Sequence, residues 1–166
     1  MKKVRREVVW EGTLFDVVRE EWGDTVRELA EHEGSVAIVA IDRDGRLVLT
    51  RQFREAVRES LLELPAGALD EGESPLAAAR RELQEETGLH GGSWRKLRTI
   101  HPSPGFLREP VSIFLAEDLE EGESNPDEDE ELEVVRLTPA ELEAELEGLE
   151  DAKTLVGALL YLREGR

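Results

Sequence analysis

The alternation of apolar and polar residues predicts a chain that begins with strands. Period-two patterns at residues 13–22 and 25–32 flank Gly23-Asp24, and Asp44-Gly45 separates two further apolar runs, so both dipeptides are predicted hairpin turns. Pro65 ends another short strand. We therefore predict strands at residues 13–22, 25–32, 35–41, 47–50, 61–64, 94–101, 111–116 and 132–137.

The pattern becomes helical after a glycine-containing loop predicted for residues 66–73. Ser74 is a good N-cap, Pro75 suits the first helical position, and Gly88 can end the helix in the left-handed conformation. A capping box at Thr138 and an amphipathic stretch at residues 152–163 predict two later helices. This order of elements predicts a mixed α/β layered domain. Three residues of the first helix recur at helical spacing and are predicted to face the core: Leu76, Ala79 and Leu83.

Composition narrows the class of protein. The chain has 166 residues, which fits one domain, and no internal repeat or linker divides it. Its 39 acidic and 21 basic residues give a formal charge of -18, which argues against nucleic acid or an anionic membrane as a partner. Cysteine is absent, the basic start lacks the apolar stretch of a signal peptide, and the longest apolar run, 36–41, is too short to span a bilayer. We therefore expect a cytoplasmic protein.

A dense group of carboxylates lies in the predicted first helix. Glu82 and Glu86 are four residues apart and share a helix face, which Glu85 borders. Like charges at this spacing are mildly unfavourable on their own, and Mg²⁺ prefers such oxygen ligands. The preceding loop can add the backbone carbonyl of Ala66, and Arg81 can hold Glu85 in place. The plain alternative is a solvated charged face on a surface helix.

The spacing of the whole stretch resembles the Nudix box. Residues 67–89 read GALDEGESPLAAARRELQEETGL, and all nine defining positions of the box match: Gly67, Glu73, Arg81, Glu82, Leu83, Glu85, Glu86, Gly88 and Leu89. The resemblance implies a Nudix hydrolase, an α/β/α sandwich with a mixed sheet, which uses Mg²⁺ or Mn²⁺ to cleave a pyrophosphate linked to a nucleoside.

By position in the box, the resemblance implies that Glu82 and Glu86 are the main metal ligands. Glu85 would be a third ligand or a residue that contacts the ligands, and Arg81 would orient the glutamates. Two further box residues would shape the loop: Gly67 and Glu73.

Other stretches resemble the ADP-ribose pyrophosphatase branch of the family. Pro104, in Ser103-Pro104-Gly105, lies fifteen residues after Leu89, near the distance that marks the branch. The resemblance implies hydrolysis of ADP-ribose to AMP and ribose 5-phosphate. The alternatives are a Nudix pyrophosphatase for GDP-mannose or a UDP-sugar, and a non-catalytic nucleotide-sugar sensor. Four further stretches are similar to segments of the branch: residues 31–36, 51–54, 127–130 and 151–154.

The branch also implies which residues bind the substrate. Arg54 and Arg51 would contact the diphosphate, and Arg27 would reach the cleft of a second subunit, since the branch forms homodimers. The alternatives are surface roles for the two strand-end arginines and a plain turn at the proline-glycine pair. Three matched positions complete the substrate side: Pro104, Gly105 and Glu109.

An acidic stretch carries the expected general base. Residues 117–133 contain eleven acidic residues among seventeen and no basic one. We expect residues 117–123 to be a solvated or disordered run, whereas the branch implies that a later glutamate moves toward the metals and activates water. Glu128 is the predicted base, with Glu130 as its rival or as an extra metal ligand. The resemblance covers most of the chain from about Thr13 onward. We predict antiparallel strands and a dimerisation region at residues 1–34, and a Nudix hydrolase domain at residues 35–166.

Overall fold

The structure, a computed structural model, describes residues 2–125 and 131–164. Within these ranges the chain forms eleven strands, three α-helices and one 3₁₀ turn. They are, in chain order, β1 (Lys3–Trp10), β2 (Asp16–Trp22), β3 (Thr25–Glu31), β4 (Ser35–Ile41), β5 (Leu47–Arg54), β6 (Glu59–Glu63), β7 (Ala66–Ala68), α1 (Pro75–Thr87), β8 (His90–Ile100), β9 (Leu107–Arg108), β10 (Val111–Glu120), β11 (Glu133–Leu137), α2 (Pro139–Glu145), the 3₁₀ turn Leu146–Gly148 and α3 (Ala152–Arg163).

The central layer is a mixed sheet. Its strands are ordered β11-β5-β4-β10-β8, with β6 paired to β5 and β7 paired to β4. The pair β4 and β10 is parallel, while β5 and β8 are antiparallel to their neighbours. Ile38 on one face of β4 packs in the cluster that includes α1, and Val39 on the other packs in the cluster that includes α2 and α3. The predicted α/β/α sandwich is confirmed, and burial on both faces explains why β4 is apolar from Val36 to Ile41.

A second sheet lies at the N-terminal end of the chain, in the order β1-β2-β3-β9. The first three strands are antiparallel, as predicted for this region, and β9 joins β3 in parallel through the pair Ala30 and Leu107. Strand β1 lies in the region 1–34 for which strands were predicted, but before residue 13, where the first individual strand was placed, and all eight of its residues are exposed. None of the helices in the described part of the chain combines the length and hydrophobicity that a membrane-spanning helix requires.

Local capping signals are confirmed. The Ser74 side chain accepts a hydrogen bond from the backbone N–H of Ala77, so α1 begins at Pro75. Gly88 has a φ of 75° and donates its backbone N–H to the carbonyl of Gln84, which ends the helix. A reciprocal capping box between Thr138 and Glu141 begins α2.

Three predictions require correction. Leu76 is 36% exposed, because the first turn of α1 lies at the surface and burial begins only at Ala78. Part of the predicted loop 66–73 is the strand β7, because its backbone pairs with the start of β4. The predicted solvated run 117–123 continues β10 as far as Glu120, because β8 pairs with it to that point and Leu119 is buried.

The contrast between two leucines of α1 tests this description. Leu83 is fully buried in the cluster under α1, so Leu83→Ala should lower the free energy of unfolding by about 2–5 kcal/mol. Leu76→Ala, on the same helix, should change it by less than about 1 kcal/mol, since the side chain is already partly in water. Urea denaturation measures both changes, and equal losses would contradict the assignment of the buried face.

Candidate active site

A cleft of about 1030 Å³ is lined by segments from across the chain. The lining comes from the loop before β2, the ends of β3 and β5, strand β7 and the loop after it, the second half of α1, residues 102–109 and the start of α3. Clefts of this size hold small organic ligands, and their polar groups usually converge from separate elements. This cleft is therefore the candidate active site.

Helix α1 supplies a wall of carboxylates. Glu82 and Glu85 line the cleft, while Glu86 is only 4% exposed. The caps at Ser74 and Gly88 set the bounds of the helix, so all three acids lie in its second half. Burying an ionised carboxylate is unfavourable unless a cation or hydrogen-bond donors compensate for the lost water. The wall therefore concentrates negative charge at a place where a cation lowers the free energy.

Arg81 is the cation on which several of these acids converge. Its Nη1 donates to Glu82 Oε1 at 2.7 Å and to Glu85 Oε2 at 3.0 Å. Its Nη2 donates to Glu73 Oε2 at 3.0 Å and to the carbonyl of Ala68 at 3.1 Å. The hydrogen bond to Glu73 is the main cause that raises the pKa of Arg81, and the same bond lowers the pKa of Glu73. Arg81 thus ties the loop before α1 to the helix.

The carboxylate and carbonyl oxygens beside Arg81 suit a hard divalent cation as ligands. A Cβ atom on Gly67 would lie 2.0 Å from the Glu82 carboxylate, so glycine lets that carboxylate lie against β7, next to Ala66. Carboxylate and carbonyl oxygens are the ligands that Mg²⁺ and Mn²⁺ take. Among the described residues, no three acidic or histidine side chains surround a common point, and Arg81 lies between Glu82 and Glu85. The predicted ligands Glu82 and Glu86 and the carbonyl of Ala66 have the chemistry for such a cation, and their assignment as its ligands stays a prediction.

A second wall of the cleft carries cations. Arg54 and Lys153 line the cleft, and both contact Glu63, which is 2% exposed. Burial works to raise the pKa of Glu63, but the hydrogen bond from Arg54 and the charge of Lys153 outweigh burial and lower it. Arg54 also lies within electrostatic range of Glu86, so the cationic wall is close to the carboxylate wall.

The structure brings six of the predicted site residues to the cleft. Glu109 is among them, and its Oε1 accepts a hydrogen bond from the Ser35 hydroxyl at 2.8 Å. Glu86 is buried and does not line the cleft, but its charge helps to raise the pKa of Arg54, after the larger effect of the hydrogen bond to Glu63. The six residues that line the cleft are Arg54, Ala66, Arg81, Glu82, Glu85 and Glu109.

The remaining predicted residues lie elsewhere. Arg51 faces Glu133 across the β5–β11 pair, with Nε and Oε2 3.5 Å apart. Arg27 is exposed on β3 and does not line the cleft of its own chain; its predicted contact is with a second subunit. Pro104-Gly105 is exposed beside the cleft residues Pro102 and Phe106. The roles proposed for these residues stay predictions. Two predicted residues lie outside the described part of the chain: Glu128 and Glu130.

Residues 122–125 of the acidic stretch are attached to the end of α1. The Asn125 N–H donates to the carbonyl of Glu85 at 2.9 Å. A Cβ atom on Gly88 would lie 2.5 Å from the carbonyl oxygen of Gly122, so the backbone packs closely there. Residue 125 is thereby held at the helix that carries the carboxylate wall.

Sequence reasoning missed several residues that line the cleft or contact its lining. It did not single out Glu63, and it placed Lys153 only in a matched stretch at the start of the last helix. Phe15 and Phe106, two partly exposed aromatic residues, also line the cleft. The available signal for Glu63 was a single acid within the apolar run 61–64, where a charge needs a partner.

Comparison with known proteins identifies the family. The family model described as the NUDIX domain matches residues 31–156, which is most of the chain. The chain therefore belongs to the Nudix family, as the spacing of residues 67–89 predicted. Nudix hydrolases generally need a divalent metal ion.

Relatives and a solved structure agree with this assignment. The chain is 36% identical to ADP-ribose pyrophosphatase of Bacillus subtilis, over 98% of this chain and 92% of the relative. It is 32% identical to the methanol dehydrogenase activator of Bacillus methanolicus, with the same coverage. It is 37% identical to GDP-mannose pyrophosphatase of Citrobacter koseri, over 74% of this chain and 70% of the relative. A crystal structure described as an ADP compounds hydrolase matches with a TM-score of 0.80 and 28% identity, over 99% and 92%.

Gly67→Ala tests the close approach of Glu82 to β7. The new methyl group would displace the end of a flexible side chain, so the free energy of unfolding should change little. The displaced carboxylate should weaken Mn²⁺ binding by about 10- to 100-fold, measured by electron paramagnetic resonance titration. Gly148→Ala is the control, since its nearest neighbour, Glu145 Oε2, would be at an ordinary 3.8 Å. Unchanged Mn²⁺ affinity in Gly67→Ala would contradict the assigned site.

Glu63 should give stability a defined pH dependence. Because its pKa in the folded protein is lowered from the ordinary value of 4.5, the ionised form stabilises the fold above that pH. The stabilisation should disappear as the pH falls below 4.5 through the folded-state pKa. We therefore expect Glu63→Gln to cost most stability at pH 7 and progressively less at pH values below about 4.5. Urea denaturation across this range, with the exposed Glu59→Gln on the same strand as control, should show the trend; a cost independent of pH would contradict it.

Proposed function

We propose that this protein hydrolyses the pyrophosphate bond of ADP-ribose to give AMP and ribose 5-phosphate. The observation that carries the proposal is one cleft with a carboxylate wall from α1 and a cationic wall that includes Arg54. Such a pair of walls suits a diphosphate that binds together with a divalent cation, since each partner needs the opposite charge. The ADP-ribose pyrophosphatase of Bacillus subtilis, similar over nearly the whole chain, supports this choice of substrate.

In this proposal Glu82, Glu86 and the carbonyl of Ala66 hold Mg²⁺ or Mn²⁺. The bound cation supplies charge neutralisation and a lowered pKa for the attacking water. Glu85 is either a third ligand or, through Arg81, a residue that keeps the ligands in place. The hydrogen bonds of Arg81 to three glutamates support its proposed role in orienting them.

The remaining steps belong to side chains of the protein. Arg54 donates hydrogen bonds to the phosphate oxygens, for which a planar guanidinium is well suited. Glu128 takes a proton from the attacking water. The oxygen of that water forms a bond to one phosphorus of the diphosphate, and the bond from that phosphorus to the bridging oxygen breaks. Glu130 is the alternative base or an additional ligand. Four further residues are proposed to contact the substrate: Arg51, Pro104, Gly105 and Glu109.

The proposal includes a homodimer in the cytoplasm. Residues 1–34 would form the dimer contact and residues 35–166 the hydrolase domain, with Arg27 reaching the cleft of the second subunit. The exposed apolar side chains of β1, which include Val4, Val8 and Trp10, support a contact there. The absence of cysteine and the charge of -18 suit a cytoplasmic protein without a nucleic-acid partner.

A second candidate is a pyrophosphatase for GDP-mannose or a UDP-sugar. The GDP-mannose pyrophosphatase of Citrobacter koseri, at 37% identity, supports it. A non-catalytic sensor is less well supported, because all the glutamates of the Nudix box are present.

A substrate panel tests the proposal. The purified enzyme is incubated with ADP-ribose, GDP-mannose, a UDP-sugar and NAD⁺, each with Mg²⁺, Mn²⁺ or EDTA, and the products are separated by chromatography. We expect ADP-ribose to give the highest kcat/KM, with AMP and ribose 5-phosphate as products and no reaction in EDTA. A higher kcat/KM for another compound would make that compound the proposed substrate in place of ADP-ribose. If none of the compounds is hydrolysed in a metal-dependent reaction, the proposal that this protein is a Nudix pyrophosphatase is refuted.

Removal of a metal ligand gives a further prediction. Glu82→Gln and Glu86→Gln should each lower kcat by at least about 100-fold, because a neutral amide binds a divalent cation far more weakly. The fold should persist, since the clustered carboxylates repel one another when no cation is bound. Glu143→Gln, on the exposed face of α2, removes the same charge and should leave kcat unchanged. Near-wild-type turnover in both variants would refute the metal assignment.

A further inference from the structure

We propose that Glu63 is a positioning residue that holds Arg54 and Lys153 together, and that Lys153 is a second cation for the diphosphate group of the substrate. The inference rests on the proposed function for the identity of the anion. It adds Lys153 of α3, which lines the cleft, and Glu63 of β6, which lies against it, to the residues already proposed to bind the cation and the substrate.

Three separate elements meet at the Glu63 carboxylate. Arg54 ends β5, Glu63 ends the neighbouring strand β6, and Lys153 lies in the first turn of α3. Both cations are at hydrogen-bond distance: Arg54 Nε and Nη2 donate to the two carboxylate oxygens at 2.7 and 2.8 Å, and Lys153 Nζ donates to Oε2 at 2.5 Å. The carboxylate therefore uses both of its oxygens to fix two cations in one place.

Counting donors shows what is left for a ligand. The guanidinium of Arg54 has five N–H groups, and Glu63 accepts one from Nε and one from Nη2, so the Nη1 edge is not used by this pair. The Lys153 ammonium has three N–H groups, and Nζ lies near Glu63 and, at 3.0 Å, near Asp151 Oδ1. Each cation thus retains hydrogen-bonding capacity beyond these acids, and both line the cleft.

The start of α3 holds Lys153 from the other side. Asp151 caps this helix, since its Oδ2 accepts the N–H of Thr154 at 2.9 Å and its hydroxyl at 2.6 Å. The Thr154 hydroxyl in turn accepts the N–H of Leu64 at 2.8 Å, which ties the end of β6 to α3. With the cap on one side and Glu63 on the other, the ammonium group is pre-organised and loses little side-chain entropy when a ligand binds.

Burial alone does not account for this cluster. Replacing a buried ion pair with apolar residues of similar size is often neutral or stabilising. A gain in stability is therefore a weak explanation for two cations that contact one carboxylate. Their side chains are not sealed from water: Arg54 is 38% exposed and Lys153 is 17% exposed, while Glu63 is 2% exposed. The carboxylate is buried behind the two cations, an arrangement that suits presentation of both cations to an anion in the cleft.

The experiment measures KM and kcat for the substrate that the wild-type enzyme hydrolyses best, and the dissociation constant for inorganic pyrophosphate by calorimetry. Lys153→Met should raise KM and weaken pyrophosphate binding by about tenfold or more, the value of a charge-assisted hydrogen bond, while kcat changes less than about threefold. Lys153→Arg keeps the charge and should recover most of the lost affinity. Lys96→Met, which removes an exposed lysine of β8 outside the cleft, should change neither quantity.

The positioning role of Glu63 is tested by a double-mutant cycle. Glu63→Gln should raise KM in the wild-type background and have a clearly smaller effect when Lys153 is already methionine, because part of its action passes through that cation. A purely structural role predicts equal effects in both backgrounds, together with a fall in kcat. Glu59→Gln, an exposed position of the same strand, is the control. If Glu63→Gln does not fold, Glu63→Asp, which keeps the charge but shortens the side chain, takes its place in the cycle, and equal effects on KM in both backgrounds would overturn the positioning role.

Two failures can be told apart. If the wild-type enzyme hydrolyses ADP-ribose but Lys153→Met leaves KM and pyrophosphate affinity unchanged, this inference is overturned and the proposed function stands. If the enzyme hydrolyses none of the panel, the proposed function is overturned, and the pyrophosphate titration of Lys153→Met against Lys96→Met still decides whether Lys153 binds the anion.

Discussion

The compensation of crowded negative charge is the constraint on which the site depends. Glu73, Glu82 and Glu85 share the guanidinium of Arg81, a planar donor with several N–H groups in a fixed geometry. These contacts attach the loop before α1 to the helix, and the loop returns the backbone at Gly67 to the Glu82 carboxylate. Two of the acids that crowd the second half of the helix, Glu82 and Glu86, are therefore the ones proposed to hold a divalent cation.

A chain with a charge of -18 must gather its cations locally to attract an anionic substrate. Here two cations are held together by one buried acid, since Glu63 contacts both Arg54 and Lys153 on the cationic wall of the cleft. The charge of Glu86 also acts on Arg54. The mixed sheet makes this arrangement possible. It places the end of β6 beside the start of α3, where the side chain of Arg54 from β5 reaches Glu63, and it places β7 beside α1.

Features that depend on near neighbours in the chain were predictable. The N-cap at Ser74, the left-handed Gly88 and the capping box at Thr138 each involve residues within four positions of one another. The Nudix box from Gly67 to Leu89 was likewise recognisable, because all of its defining residues lie within one short, continuous stretch of the chain. Burial was predicted less well. Leu76 fits the helical period of the core-facing residues, yet it is exposed because the first turn of α1 lies at the protein surface. Periodicity defines a face but not where along the helix the core begins.

The sequence by itself determined the family, the carboxylates of α1 and most of the strands, since these follow from local hydrogen bonds, apolar period and fixed spacing. Only the tertiary structure placed Glu63 against Lys153 and joined Leu64 to Thr154, pairs that are 90 residues apart. It also added β1 and β7, whose partners lie on other strands of the chain. The physical reason is that a buried charge or an edge strand is stabilised by whatever the fold brings beside it, and that partner is not encoded in the neighbouring residues.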